Sequence, residues 1–308
     1  MRSYNKHILS IDEQIEELKS AKRVVESEEE ATKFLSAVEY YRFRGYSFQF
    51  YDNSKKEYKK GTKFSDIVSI YNFDAELSHL LFSILSAIEI SLRSRFVNAL
   101  LTYKKDDALI LYDPAIFEDK RKYWTNISSI SNEIAHSSDV FIKHNFDKHE
   151  GNIPVWAAAE IMSFGTLSKR IKNLKTGPDL PFSKIAESYT YSAKSGNQVK
   201  PSKNRLVSWI RSCVVLRNIC AHNGRIYNRV LNATPEILEA DRLFPAPKYN
   251  GVYQTILAIK YLRPSDEVWH DFAHKLTNLV SRYSSIDIKR LNFPDDWKIT
   301  LLFKQTIS

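Results

Sequence analysis

The stretch from Phe64 to Tyr103 constrains the fold more than any other part of the chain. Leu77, Leu80, Leu81, Ile84, Leu85, Ile88 and Leu92 recur there at steps of three and four, the spacing that gathers apolar side chains on one face of an α-helix. A helix that long needs partners for its buried side, and the rest of the chain supplies further helical patterns rather than the alternation of strands. The long helix is predicted to be broken or bent near Asn72. Ser10 with Glu13 and Ser27 with Glu30 have capping-box spacing, which predicts helices near 11–20 and 28–41. The second leads into Tyr40–Tyr46 and ends at Gly45. More helical patterns cover 123–136, 155–172 with an interruption at Gly165, 253–261 and 265–283, whereas 52–61 reads as a polar loop and 174–202 as a mobile one. No repeat or linker divides the chain. The prediction is one all-α unit over 1–308, with a helical lead over 1–30, a core over 31–230 and a helical extension over 231–308.

One helical pattern, from about Ser202 to Arg229, carries chemistry. Trp209, Cys213, Leu216, Cys220 and Tyr227 form its apolar stripe, while Arg211, Asn218, His222, Arg225 and Arg229 fall on nearly the opposite side. Arg217 lies at the flank, where its long stem can follow apolar surface while its guanidinium reaches the cleft beside His222. An arginine is an always-charged clamp for phosphate, and histidine is the side chain whose proton exchange lies near neutrality. Together they suit cleavage of RNA, in which the 2′-hydroxyl is the nucleophile and the protein need only move protons and stabilise phosphorane charge. The spacing alone is unspecific, since Arg2 and His7 repeat it.

The segment Arg217-Asn218-Ile219-Cys220-Ala221-His222 resembles the Arg-X4-6-His motif of HEPN-superfamily ribonucleases. More specifically, the chain resembles the Abi-like proteins of bacterial abortive-infection systems, the AbiD and AbiF group. The resemblance is carried by Tyr40-Tyr41-Arg42-Phe43-Arg44-Gly45-Tyr46, Tyr71-Asn72-Phe73-Asp74, Ile88-Glu89-Ile90-Ser91-Leu92-Arg93, Pro154-Val155-Trp156 leading to Glu160, Ser163-Phe164-Gly165-Thr166-Leu167-Ser168 and Phe293-Pro294-Asp295-Asp296-Trp297. Phe43-Arg44 departs from the Leu-Ser pair that family members often carry. The resemblance implies an HEPN-like helical bundle with additional N- and C-terminal helices. It further implies an endoribonuclease of phage defence or of a toxin–antitoxin system, with two motifs brought together across a homodimer cleft.

On that basis His222 is assigned to proton transfer, Arg217 to the scissile phosphate and Asn218 to orienting one of them, while Arg211, Arg225 and Arg229 bind flanking phosphates. No metal and no cofactor is expected. The alternative is an RNA-binding protein that does not cleave, associated with a small regulatory RNA, which the AbiF resemblance allows; a small non-coding RNA or another antitoxin is a candidate partner in either case. A third reading, a helical interaction protein without a nucleic-acid role, is disfavoured by the motif and by the net charge of +9.

Other residues have simpler explanations. Glu89 and Arg93 are spaced as an i,i+4 ion pair, with a role in orienting the motif helix left open. Tyr40, Tyr41, Arg42 and Tyr46 read as packing residues before RNA clamps, and Glu160 has no assigned role. His270 with His274, and His144 with Asp147 and His149, have metal-like spacing but lack a further ligand. Cys213 and Cys220 sit two helical turns apart, too far for a disulfide, and read as core residues of a reducing compartment. Met1–His7 has no signal-like apolar stretch and no membrane-length apolar run is evident, so a cytoplasmic location is expected.

Overall fold

A computed structural model describes residues 8–193 and 196–302. The Arg2–His7 pair and the first seven residues lie outside the described residues, as do two positions of the polar run before the motif helix. The element order is α1 (Ile11–Ser20), α2 (Glu28–Ala37), α3 (Tyr40–Ser47), α4 (Phe64–Tyr103), α5 (Lys120–Ala135), α6 (Val140–Lys148), α7 (Val155–Ile161), α8 (Phe164–Asn173), α9 (Pro181–Glu187), α10 (Lys203–Ala221), α11 (Val252–Tyr261), α12 (Asp266–Arg282) and α13 (Trp297–Leu302). Strands are confined to two hairpins of two-residue strands, β1 (Tyr51–Asp52) with β2 (Glu57–Tyr58) and β3 (Tyr191–Ser192) with β4 (Gln198–Val199), both antiparallel. The fold is all-α.

Helix α4 is the spine. It runs 40 residues, about 60 Å at 1.5 Å per residue, and α3, α7, α8, α9, α10, α11 and α12 all pack on it. Its leucine and isoleucine face is buried as the spacing requires, although Leu80 is only half-buried. The helix is not broken at Asn72: that residue is exposed and α4 continues through it. By length and composition α4 is apolar enough to cross a membrane, but here other helices cover it, and it carries buried Asp74 and Glu89.

Breaks fall where capping groups stand rather than at glycine. Ser10 and Glu13 form the reciprocal box at α1, and Ser27 caps α2. Val38 then turns to extended backbone, and the Glu39 carboxylate starts α3 by accepting the Arg42 N–H at 3.0 Å. Gly45 lies inside α3, so the predicted single helix is two. Likewise, Ser163 caps α8 by accepting the Thr166 N–H, and Gly165 belongs to that helix's first turn. The expected loop over 174–202 contains α9 and the second hairpin.

Helix α11 decides how the C-terminal segment sits. All ten of its residues are buried, in keeping with a sequence apolar nearly all round, and it packs against α10 and α4. Two of its polar members are held by hydrogen bonds, Lys260 donating to the Thr300 carbonyl at 2.9 Å and the Gln254 oxygen accepting the Gly251 N–H at 2.8 Å, while the buried Thr255 hydroxyl has no hydrogen-bond partner among the described residues. The Trp209 ring of α10 lies 4.8 Å from that of Tyr261. The chain after residue 231 is thus part of the packing that holds the motif helix.

Candidate active site

Ser202 starts α10 by accepting the Arg205 N–H, and Trp209, Cys213, Leu216 and Cys220 are buried along one side, as the helical period predicts. The helix ends earlier than Arg229. His222 is its C-cap, Asn223 takes the left-handed conformation with φ 50°, and the Asn223 and Gly224 N–H groups return to the Cys220 and Ile219 carbonyls at 3.0 and 2.8 Å. That pair of bonds is the Schellman arrangement, with Asn at the left-handed position where glycine is commoner. A Cβ on Gly224 would lie 3.0 Å from Ile219 Cγ2 and 3.1 Å from the Ile219 oxygen, so the close approach favours glycine.

This ending changes the placement of the predicted site. Arg217 and Asn218 remain on the last turns of α10, with His222 closing it, and Arg211 projects to solvent two turns earlier. Asn218 and His222 are exposed. Arg225 and Arg229 are not on the helix at all, a correction to the continuous polar face. Arg225 is half-buried and donates to the Gly45 carbonyl, which occupies part of its guanidinium; Arg229 is exposed and donates to the Arg225 carbonyl at 3.2 Å.

Arg217 is held from α4. Its Nη2 lies 3.0 Å from Glu89 Oε2, Nη1 donates to Asn218 Oδ1 at 3.3 Å, and the guanidinium carbon stands 5.9 Å from the Phe82 ring. The Glu89 side chain is 8% exposed and Arg217 28%, so the guanidinium is anchored on a buried carboxylate while part of the side chain stays accessible. Glu89 also takes Arg93 Nη2 at 3.1 Å, and Arg93 reaches the Met162 carbonyl at 3.0 Å and Glu160 at 3.8 Å. The i,i+4 pair is therefore real, but the buried carboxylate serves two guanidinia and orients the motif arginine. Burying a carboxylate is costly unless it is paired and hydrogen-bonded.

The turn after His222 is pinned by residues that sequence reasoning left as packing or did not single out. Asp74 of α4, buried, accepts the Tyr227 N–H at 2.7 Å, the Ile226 N–H at 3.1 Å and the Tyr46 hydroxyl at 2.8 Å. Burial pushes its carboxyl pKa up, against the pull of these donors, and burial beside Asp74 pushes the Tyr46 phenol up. Arg42 donates to the Asn223 carbonyl at 2.6 Å. Helices α3 and α4 thus fix where His222 stands. Tyr46 is buried and Tyr41 exposed; the only advance signal for Asp74 was its presence in one of the family segments.

Both cysteines are buried thiols, and burial raises the Cys220 pKa to about 11, which leaves them poor nucleophiles. His270 and His274 are exposed on α12, and among the described residues no group of three or more His, Cys, Asp or Glu side chains is placed to hold a metal.

No curated protein and no solved structure matches the chain. The model of the family described as Abi-like protein matches residues 33–228, from α2 to just past the turn held by Asp74. That match takes in α4, α10 and every residue of the Glu89 and Asp74 clusters, well over half of the 308 residues, and the chain belongs to the Abi-like protein family.

Proposed function

We propose that the protein is a metal-independent endoribonuclease of the HEPN type that acts in abortive infection, the role its family suggests. The observation that carries this reading is the anchoring of Arg217 by buried Glu89 on the last turns of the helix that His222 terminates. A guanidinium held by a buried carboxylate on a partly exposed side chain is preorganised to receive a phosphate and the charge that builds on it. In the reaction, the 2′-oxygen attacks phosphorus and gives up its proton to one imidazole. The 5′-oxygen leaves with a proton from another, and a 2′,3′-cyclic phosphate and a 5′-hydroxyl result. Asn218 orients Arg217, and Arg211 and Arg229 meet flanking phosphates, with Arg225 contributing the part of its fork that Gly45 leaves free. The cytoplasm is the proposed location, and a small non-coding RNA or another antitoxin the proposed restraint.

Products are expected to carry 2′,3′-cyclic phosphate and 5′-hydroxyl ends, and a 2′-deoxy substitution at the cut position should block cleavage. End analysis of a labelled single-stranded RNA incubated in chelator tests both points. DNA cleavage, or activity that vanishes with the chelator, would overturn the proposal. RNA binding without cleavage would favour the non-cleaving reading.

One motif histidine per chain calls for a second copy to complete the proton transfers. Phe82, Ser86 and Ile90 of α4 recur at i,i+4 alongside the buried Glu89 and Arg93 pair, with Ile90 64% exposed, Phe82 38% exposed and the Phe82 ring 5.9 Å from the Arg217 guanidinium. This stripe supports a dimer seam next to the motif, where the basic residues themselves would repel. Ile90→Asp is expected to shift the protein to monomer in sedimentation and to lower cleavage at least tenfold. A fully active monomer would sink the composite site.

A further inference from the structure

Trp156 and Glu160, one helical turn apart on α7, were left without a task by the cleavage site. Both line a cavity of about 850 Å3 between α7, α6 and the loop after α4, within the size range of small-molecule sites. Neither Arg217 nor His222 lines it. Trp156 is 52% exposed, and Phe141 of α6, at 37%, also lines the cavity. A large indole left half in solvent inside a concavity is a platform for a flat aromatic ligand.

We infer that this cavity is a guanine-binding site, filled by the base of a guanine nucleotide stacked on Trp156 with its Watson–Crick edge on the Glu160 carboxylate. The choice of base follows from donor geometry. Guanine is the base that presents two neighbouring donors, N1–H and the N2 amino group, which a carboxylate's two oxygens accept side by side. Adenine puts the lone pair of its N1 at that place, facing negative charge. The phosphate is the lesser determinant: Lys148, His144 and His149 line the cavity, but Glu150 does too, and among the described residues the lining contains no arginine fork for a phosphate.

Glu160 has capacity for the base. Its side chain is 64% exposed, and among the described residues its charge partner is Arg93 at 3.8 Å, which leaves lone pairs unused. Through Arg93 the site is joined to Glu89 and thence to Arg217. A base that draws on Glu160 changes how Arg93 divides itself between the two carboxylates, and Glu89 is the anchor of the motif arginine. The guanine comes either as a free nucleotide or as one residue of an RNA strand; the second source rests on the ribonuclease reading, the first does not.

The test uses full-length His222→Ala protein, so that RNA survives and the readout is binding rather than cleavage. Calorimetric titrations compare GMP with AMP, and a single-stranded uridine hexamer containing one guanine with its adenine counterpart. In at least one pair the guanine ligand is expected to bind at least tenfold more tightly. Tight GMP identifies the free nucleotide as the source; a preference seen only in the hexamer identifies the strand. Trp156→Ala is expected to weaken the guanine ligand at least tenfold, and the near-isosteric Glu160→Gln to erase the preference over adenine while thermal unfolding stays that of the parent. Absence of guanine preference in both pairs, binding that ignores Trp156→Ala, or preference that survives Glu160→Gln would overturn the inference. Each of these failures leaves the cleavage reading standing, and loss of cleavage products in the wild type leaves the GMP arm standing.

Discussion

Replacing His222 by Ala, or Arg217 by Ala, is expected to lower the rate of RNA cleavage about a hundredfold or more, the usual scale for losing a general acid–base group or a charge-stabilising donor. The two changes differ in what they do to the fold. His222 is exposed at the helix end, so its removal should leave helical content and thermal unfolding unchanged. Arg217 is one of two guanidinia on buried Glu89, so its truncation also leaves a carboxylate under-partnered. Arg217→Lys separates the effects: it keeps a cation for Glu89 but loses the planar fork that can hold a carboxylate and a phosphate together. The lysine variant should fold like the wild type and cleave poorly. Circular dichroism beside a gel-based cleavage assay reads both, and near-normal cleavage by either alanine variant would remove the motif from the mechanism.

Asp74→Ala is expected to cost about 3 kcal/mol or more of stability, because it strands two backbone N–H groups and the Tyr46 hydroxyl in a buried site. It should also impair cleavage, since the turn that places His222 loses its tie to α4. Urea unfolding followed by circular dichroism checks the first point. Asp74→Asn gives a pH signature as well. The Asp74 carboxyl is raised above its ordinary value of 3.8 by burial, so its stabilising contribution is fully present below that value and is lost as pH rises through the folded-state pKa. The margin of wild type over Asp74→Asn is therefore expected to narrow as pH climbs from about 4. A margin that widens would show that the three donors outweigh burial.

The long helix and the buried side of the motif helix were legible in the sequence, because apolar recurrence at three and four residues is a local property that follows directly from helical geometry. Leu77, Leu81, Ile84, Leu85, Ile88 and Leu92 are all buried on α4, as are Trp209, Cys213, Leu216 and Cys220 on α10. The end of α10 was misread as Arg229: Asn223-Gly224 stops the helix, but the basic residues beyond it imitate a continuing polar face. Their charge is a matter of residue type, whereas the left-handed turn at Asn223 is a matter of backbone. Glycine positions misled at Gly45 and Gly165, where side-chain caps from Glu39 and Ser163 set the helix starts.

The sequence by itself determined that helices would form, which faces they would bury, and that an arginine and a histidine would share one of them. Tertiary structure alone decided what holds those two in place. Glu89 reaches Arg217 from another helix, and Asp74 reaches Ile226 and Tyr227 across separations of 152 and 153 residues. Spacing along a helix reports neighbours three and four residues away; it carries no information about which distant carboxylate will be buried against which guanidinium or amide. That pairing is set when the packing of α3, α4, α10 and α11 removes water from the groups between them, and leaves each buried charge only the partners the fold has brought alongside it.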